Sequence, residues 1–92
     1  MTKILIPTPL RKFAGNQPSV EVSGQTIGSS IAQLAEKYPE LRKHLLDEND
    51  AIRSFVRIYL GDEDIKSLDG ISTQVADGSI ISIIPAIAGG IM

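Results

Sequence analysis

Few residues in this chain of 92 are of a type that could do chemistry, and their spacing disqualifies most of them. The one histidine, His44, stands among Lys43, Leu45 and Leu46 with no second imidazole to share a metal ion. The acidic groups at residues 47–50 and 62–64 lack the twelve-residue loop pattern of an EF-hand calcium site, so both are read as solvated turns. Ser19, Ser54 and Ser72 have no sequence setting of an activated nucleophile. With no cysteine there is neither a thiolate nucleophile nor a thiolate metal site. The expectation is a chain with no catalytic residue, no metal and no cofactor. What remains is the pair Gly89 and Gly90, two residues before the last. Residues without Cβ can enter a narrow channel and adopt backbone angles closed to others. Such a pair therefore suits a tail that threads into another protein, although frayed ends also tolerate glycine. The elements ahead of the pair have to decide between these.

Those elements alternate in period. Residues 3–6 hold β-branched and aliphatic residues after Lys3 and stop at Pro7, which suits a strand ending where the ladder loses a donor. Residues 11–18, with Gly15, Asn16 and Pro18, read as a loop, and residues 19–22 as a second strand with Val20 and Val22 on one face. Thr26 is placed to cap a helix. Ile27, Ile31, Leu34, Ala35 and Tyr38 then recur at helical spacing as one apolar stripe, with Ser30, Gln33, Glu36 and Lys37 off it, until Pro39 ends the helix. Residues 41–46 add at most a further helical turn. Over residues 54–60, Val56, Ile58 and Leu60 share one face and Phe55, Arg57 and Tyr59 the other. Turns are expected at residues 61–64 and at Asp77 and Gly78, with irregular pieces over 65–75. Residues 80–84 form the most β-prone segment and are expected inside the sheet, flanked on both faces.

This order predicts an α+β domain, a mixed sheet of four to five strands with one main helix packed on one face, which is the order of a ubiquitin-like β-grasp. A single helix leaves the opposite sheet face for solvent or a partner. Phe55, Arg57, Tyr59, Ile80 and Ile84 are the candidate partner-binding face. The domain is expected to span residues 1–88 and a flexible tail residues 89–92.

Composition narrows the partners. At 92 residues, 42% of them hydrophobic, the chain can bury one modest core. Its net charge of −2 provides no broad positive field, so neither nucleic acid nor a membrane surface is an expected partner. The opening apolar run is broken by Pro7 and Pro9 and is too short for a signal or a span, so a cytoplasmic protein is expected.

The segment Asp77, Gly78, an isoleucine-rich strand, then Pro85, Ala86, Ile87, Ala88, Gly89 and Gly90 resembles the C-terminus of the MoaD and ThiS family of sulfur carriers. Phe55 to Tyr59 with Gly61, Asp62, Glu63, Asp64 and Ile65, and the opening Ile6, Pro7, Thr8, Leu10 and Arg11, resemble most the branch that carries sulfur for cysteine synthesis. The likeness spans nearly the whole chain. It implies that the carboxylate of Gly90 is adenylated by an ATP-dependent enzyme related to ubiquitin activators and exchanged for a thiocarboxylate, which a sulfur-accepting synthase consumes. It also implies that Gly89 and Gly90 are both required for activation. The family's mature carriers end at the second glycine, and some relatives carry short tails that are trimmed, whereas this chain continues with Ile91 and Met92. The resemblance therefore implies a processing metallopeptidase, zinc-dependent and of the deubiquitinase type, cutting between Gly90 and Ile91. Cysteine, molybdopterin, thiamine and a specialised thio-metabolite all stand as pathways. The alternative reading is a ubiquitin-like protein modifier or a non-covalent β-grasp interaction module whose glycines are only a linker.

Overall fold

The computed structural model describes residues 1–49 and 51–85. Five strands form one sheet: β1 (Thr2–Leu5), β2 (Ser19–Val22), β3 (Val56–Leu60), β4 (Glu63–Asp64) and β5 (Ile80–Pro85), in the spatial order β2-β1-β5-β3-β4. The central pair β1 and β5 is parallel, with Ile4 beside Ile81, and every other pair is antiparallel, so the sheet is mixed. Two helices, α1 (Ile27–Lys37) and α2 (Pro39–Leu45), and three short 3-10 turns complete the chain order. The expected β-grasp arrangement is thus present with five strands.

Alternation along the strands builds the core. Ile4 from β1, Val20 and Val22 from β2, Val56 and Ile58 from β3 and Ile81 and Ile83 from β5 are all buried on one side of the sheet. Ile27, Ile31, Leu34 and Ala35 of α1 close over them, as the helical spacing predicts. Thr26 caps α1: its Oγ1 accepts from the Ser29 N-H at 3.1 Å, and the Ser29 Oγ accepts in return from the Thr26 N-H at 3.0 Å. Two donors that the helix leaves unpaired are thereby satisfied within four residues. Pro39 ends α1 and also opens α2, because a proline costs nothing at a first helical position, where its missing N-H would have no partner. A seven-residue helix therefore stands where a single turn was expected, and it buries Leu41 and Leu45.

Several local expectations need correction. The first 3-10 turn, Thr8–Phe13, takes up the start of the predicted loop and buries Leu10. Residues 61–64 do not form a plain turn. Gly61 takes a positive φ of 63° and reverses the chain so that Glu63–Asp64 pairs back on β3, with Tyr59 opposite Asp64. Leu60 is only half-buried, since it lies at the end of β3 beside this hairpin. Strand β5 is covered on one face and not on two: Ile80 and Ile84 are 45% and 47% exposed, because the helices stand only on the side of Ile81 and Ile83.

Ser30 is the other departure. It was assigned off the apolar stripe, yet it is fully buried, and among the described residues its Oγ has no hydrogen-bond partner. The reason is the close crossing of the β2-α1 connection, where an ideal Cβ on Gly24 would lie 2.5 Å from the Ser30 Oγ and 2.6 Å from its backbone nitrogen. Only glycine on one side and a small residue on the other fit that crossing. Gly24→Ala should therefore destabilise the fold by about 1–3 kcal/mol through overpacking. Ser30→Ala, which removes an unpaired buried oxygen, should be neutral or slightly stabilising. Urea melts of the two variants check this, and equal losses in both would contradict the crossing argument.

Candidate functional site: the open sheet face and the root of the tail

The uncovered side of the sheet carries the candidate partner face. Phe55 is 46% exposed just ahead of β3. Arg57 and Tyr59 follow on the same side of β3, with Arg57 directly opposite Ile84 and Tyr59 opposite Ser82 across the β3-β5 pair. Ile80 lies at the far end of β5, beside Lys3 of β1. The five residues predicted from alternation thus share one face. Tyr59 is half-buried, and Arg57 is not a bare cation, because its Nη1 lies 3.4 Å from the Asp64 Oδ2.

The sequence reading missed two members, Leu5 and Ser82. Leu5, 39% exposed, sits beside Ser82 in the β1-β5 register, across that serine from Tyr59. Both were legible from the same alternation, since Ile4 and Ile6 point inward and Ile81 and Ile83 flank Ser82. With Leu5 included, the face is a run of exposed apolar side chains over β1, β5 and β3, bordered by Lys3 and Glu21 on one side and Arg57 with Asp64 on the other.

Strand β5 ends beside this face. β1 accompanies β5 only from Ile80 to Ser82, because Pro7 has no N-H and the Ile6 N-H donates to the Pro18 carbonyl at 2.8 Å. Beyond that point β5 is paired with β3 alone, up to Pro85 opposite Val56. The last described residues are therefore presented at one end of the sheet, next to Arg57 and Phe55. Gly89 and Gly90, Ile91 and the predicted boundary at residue 88 lie outside the described residues. An extended stretch from Pro85 to Gly90 spans about 16 Å at about 3.3 Å per residue.

A groove of about 630 Å³ lies in the helical layer, lined by residues such as Gly28, Ile31, Ala35, Pro39 and Ile71, and it shares no residue with the open face. His44 is exposed on α2 and stacks on Phe13, with ring centroids 4.1 Å apart, which is a packing role. Among the described residues no cluster of histidine and acidic side chains could hold a metal ion. The Asp77 carboxyl is held below the usual carboxylate range by the hydrogen bond and charge of the Met1 ammonium group. Both groups are exposed, so the pair adds little stability. No helix among the described residues is long and apolar enough to cross a membrane.

Comparison with known proteins agrees with this geometry. The ThiS family model matches residues 4–90, so it includes both glycines and stops before Ile91. The sulfur carrier protein CysO of Mycobacterium tuberculosis is 40% identical over 89 residues, covering 95% of this chain and 96% of its own. The crystal structure of that organism's CysO superposes with a TM-score of 0.85 at 37% identity, over 95% of this chain and 100% of the other. A chain of the Amycolatopsis orientalis BexX/CysO complex superposes with a TM-score of 0.88 at 32% identity, over 98% of this chain and 100% of its own. With its fold and nearly its whole length accounted for by these likenesses, the chain belongs to the ThiS family of ubiquitin-like sulfur carriers.

Proposed function

We propose that this carrier works as a thiocarboxylate on Gly90, formed after Ile91 and Met92 are removed, and that it donates the sulfur in the cytoplasm to a biosynthetic synthase, cysteine synthesis being the first candidate. The observation that carries the reading is the extent of the family match, which runs through Gly90 and ends there. The resemblance to CysO over nearly the whole chain favours the cysteine branch over molybdopterin, thiamine or another thio-metabolite.

The chemistry follows from the carboxylate. A carboxylate oxygen is a poor leaving group, so the activating enzyme attaches AMP to it, releasing pyrophosphate from ATP. A sulfide equivalent then attacks the acyl carbon, AMP departs, and a C-terminal thiocarboxylate remains whose sulfur is a nucleophile. The carrier supplies the acyl group and a docking face, and the activating enzyme and the synthase supply the catalysis. A metallopeptidase that hydrolyses the Gly90–Ile91 bond provides the free carboxylate, since an amide at that position offers no carboxylate oxygen to attack the α-phosphorus of ATP.

The test compares the full chain with a chain ending at Gly90, each given the cognate activating enzyme, ATP and a sulfur source. Intact-mass spectrometry should show replacement of one oxygen by sulfur only in the shorter chain. Adenylation of the full chain with Ile91 and Met92 still attached would overturn the processing step.

A further inference from the structure

We propose that Asp64 is a positioning residue that holds the Arg57 guanidinium as a fixed cation at the root of the tail, where it receives a carboxylate of the activating enzyme; this rests on the docking role given above to the open face. Arg57 stands opposite Ile84 in the β3-β5 register, two residues after exposed Phe55 and one residue short of Pro85, where the described chain stops. Its side chain is 53% exposed, while that of Asp64 is 18% exposed. Asp64 is itself oriented from behind: its Oδ1 accepts the Lys66 N-H at 2.9 Å, which leaves Oδ2 for the Arg57 Nη1 at 3.4 Å.

That single long contact engages one edge of a guanidinium with five N-H donors. In water the remaining donors are hydrated. Docking changes this, because Phe55 and Ile84 are apolar and a partner seated on them removes the Arg57 head from solvent. A buried cation left with one weak partner is costly, so a partner that uses this face must bring an anion of its own. The planar fork selects a carboxylate, which it can receive on two donors at once. The other cation on the face, Lys3, lies two strands away beside Glu21 and does not compete for that place. Asp64 keeps the fork from swinging away, and the side chain pays less rotamer entropy when the partner binds.

The experiment is calorimetric binding of the full chain to its activating enzyme, with Asp64→Asn, Arg57→Gln and the double variant. Asparagine retains an Oδ1 for the Lys66 N-H and loses only the anionic contact to Arg57. Asp64→Asn should weaken binding about threefold, the scale of one exposed ion pair. Arg57→Gln should weaken it on the order of tenfold and flatten its salt dependence, as expected when a charge pair across an interface is removed. In the Arg57→Gln background the asparagine substitution should have no further effect. Binding as tight or tighter in Asp64→Asn, or an equal loss in both backgrounds, would overturn the proposal. If Asp64→Asn melts early, Arg57→Lys carries the test, since it keeps the charge without the fork: affinity equal to the parent's would also overturn it. Loss of binding in Phe55→Ala with none in Arg57→Gln would sink this inference alone. No loss in either would sink the docking role itself.

Discussion

Truncating Ile58 to alanine should lower the folding free energy by about 2–5 kcal/mol, while the same truncation at Phe55, three residues away, should cost well under half of that. Ile58 is 2% exposed and pairs with Ile83 across β3 and β5, within the buried hydrophobic cluster. Removing its side chain leaves a cavity inside the buried cluster, where the paired strands hold the backbone in place and little can collapse to fill it. Phe55 is 46% exposed on the other side, so less of its apolar surface is withdrawn from water on folding. Its loss should appear in association instead. Aromatic anchors in small reversible interfaces, at or below about 1,200 Å² of total buried area, carry a large share of the binding energy. Phe55→Ala should therefore weaken binding to the activating enzyme by about 1–2 kcal/mol. Denaturant melts and calorimetric titrations on the two variants separate the effects. Equal destabilisation with unchanged binding would mean that the faces of β3 are assigned the wrong way round.

The largest functional effect is expected from Gly90→Val in a chain ending at residue 90: activation should fall to background while the melt stays that of the parent. A β-branched side chain widens the terminus at the acyl carbon and closes the backbone angles that glycine alone adopts readily. The body should not notice, because the described residues form a continuous buried cluster that runs from Ile4 to Ile83. Charging at an unchanged rate would remove the steric argument. A lost cooperative melt would make the terminus structural, in the manner of the interaction-module alternative.

The two predictions draw on different parts of the chain, and these differ in how far sequence alone could determine them. The alternation of residues 56–60 decided which side of β3 is buried, because a period of two leaves no freedom once one face is apolar. The stripe of α1 and its Thr26 cap were equally local matters, settled within a few residues by spacing and by one hydroxyl. The glycine pair was singled out differently, by likeness to a family whose model matches this chain through Gly90.

Tertiary structure decided what depends on residues far apart in the chain. Ser30 has the polarity of an exposed helical position, and only the passage of Gly24 against it makes it a core residue. Pro39 reads as a helix stop, yet burial of Leu41 and Leu45 stabilises a second helix that starts on that proline, and local propensity yields to packing. Residues 80–84 are apolar enough for a doubly covered strand, but with both helices on one side of the sheet the chain leaves Ile80 and Ile84 in the open. Arg57 and Asp64 are seven residues apart and look like members of a strand and a turn. The positive φ of Gly61 folds them into one hairpin and turns two ordinary charges into a pair at the root of the tail. Periodicity is a property of neighbours in sequence and can be read there; coverage and pairing are properties of neighbours in space, and those exist only once the sheet has closed.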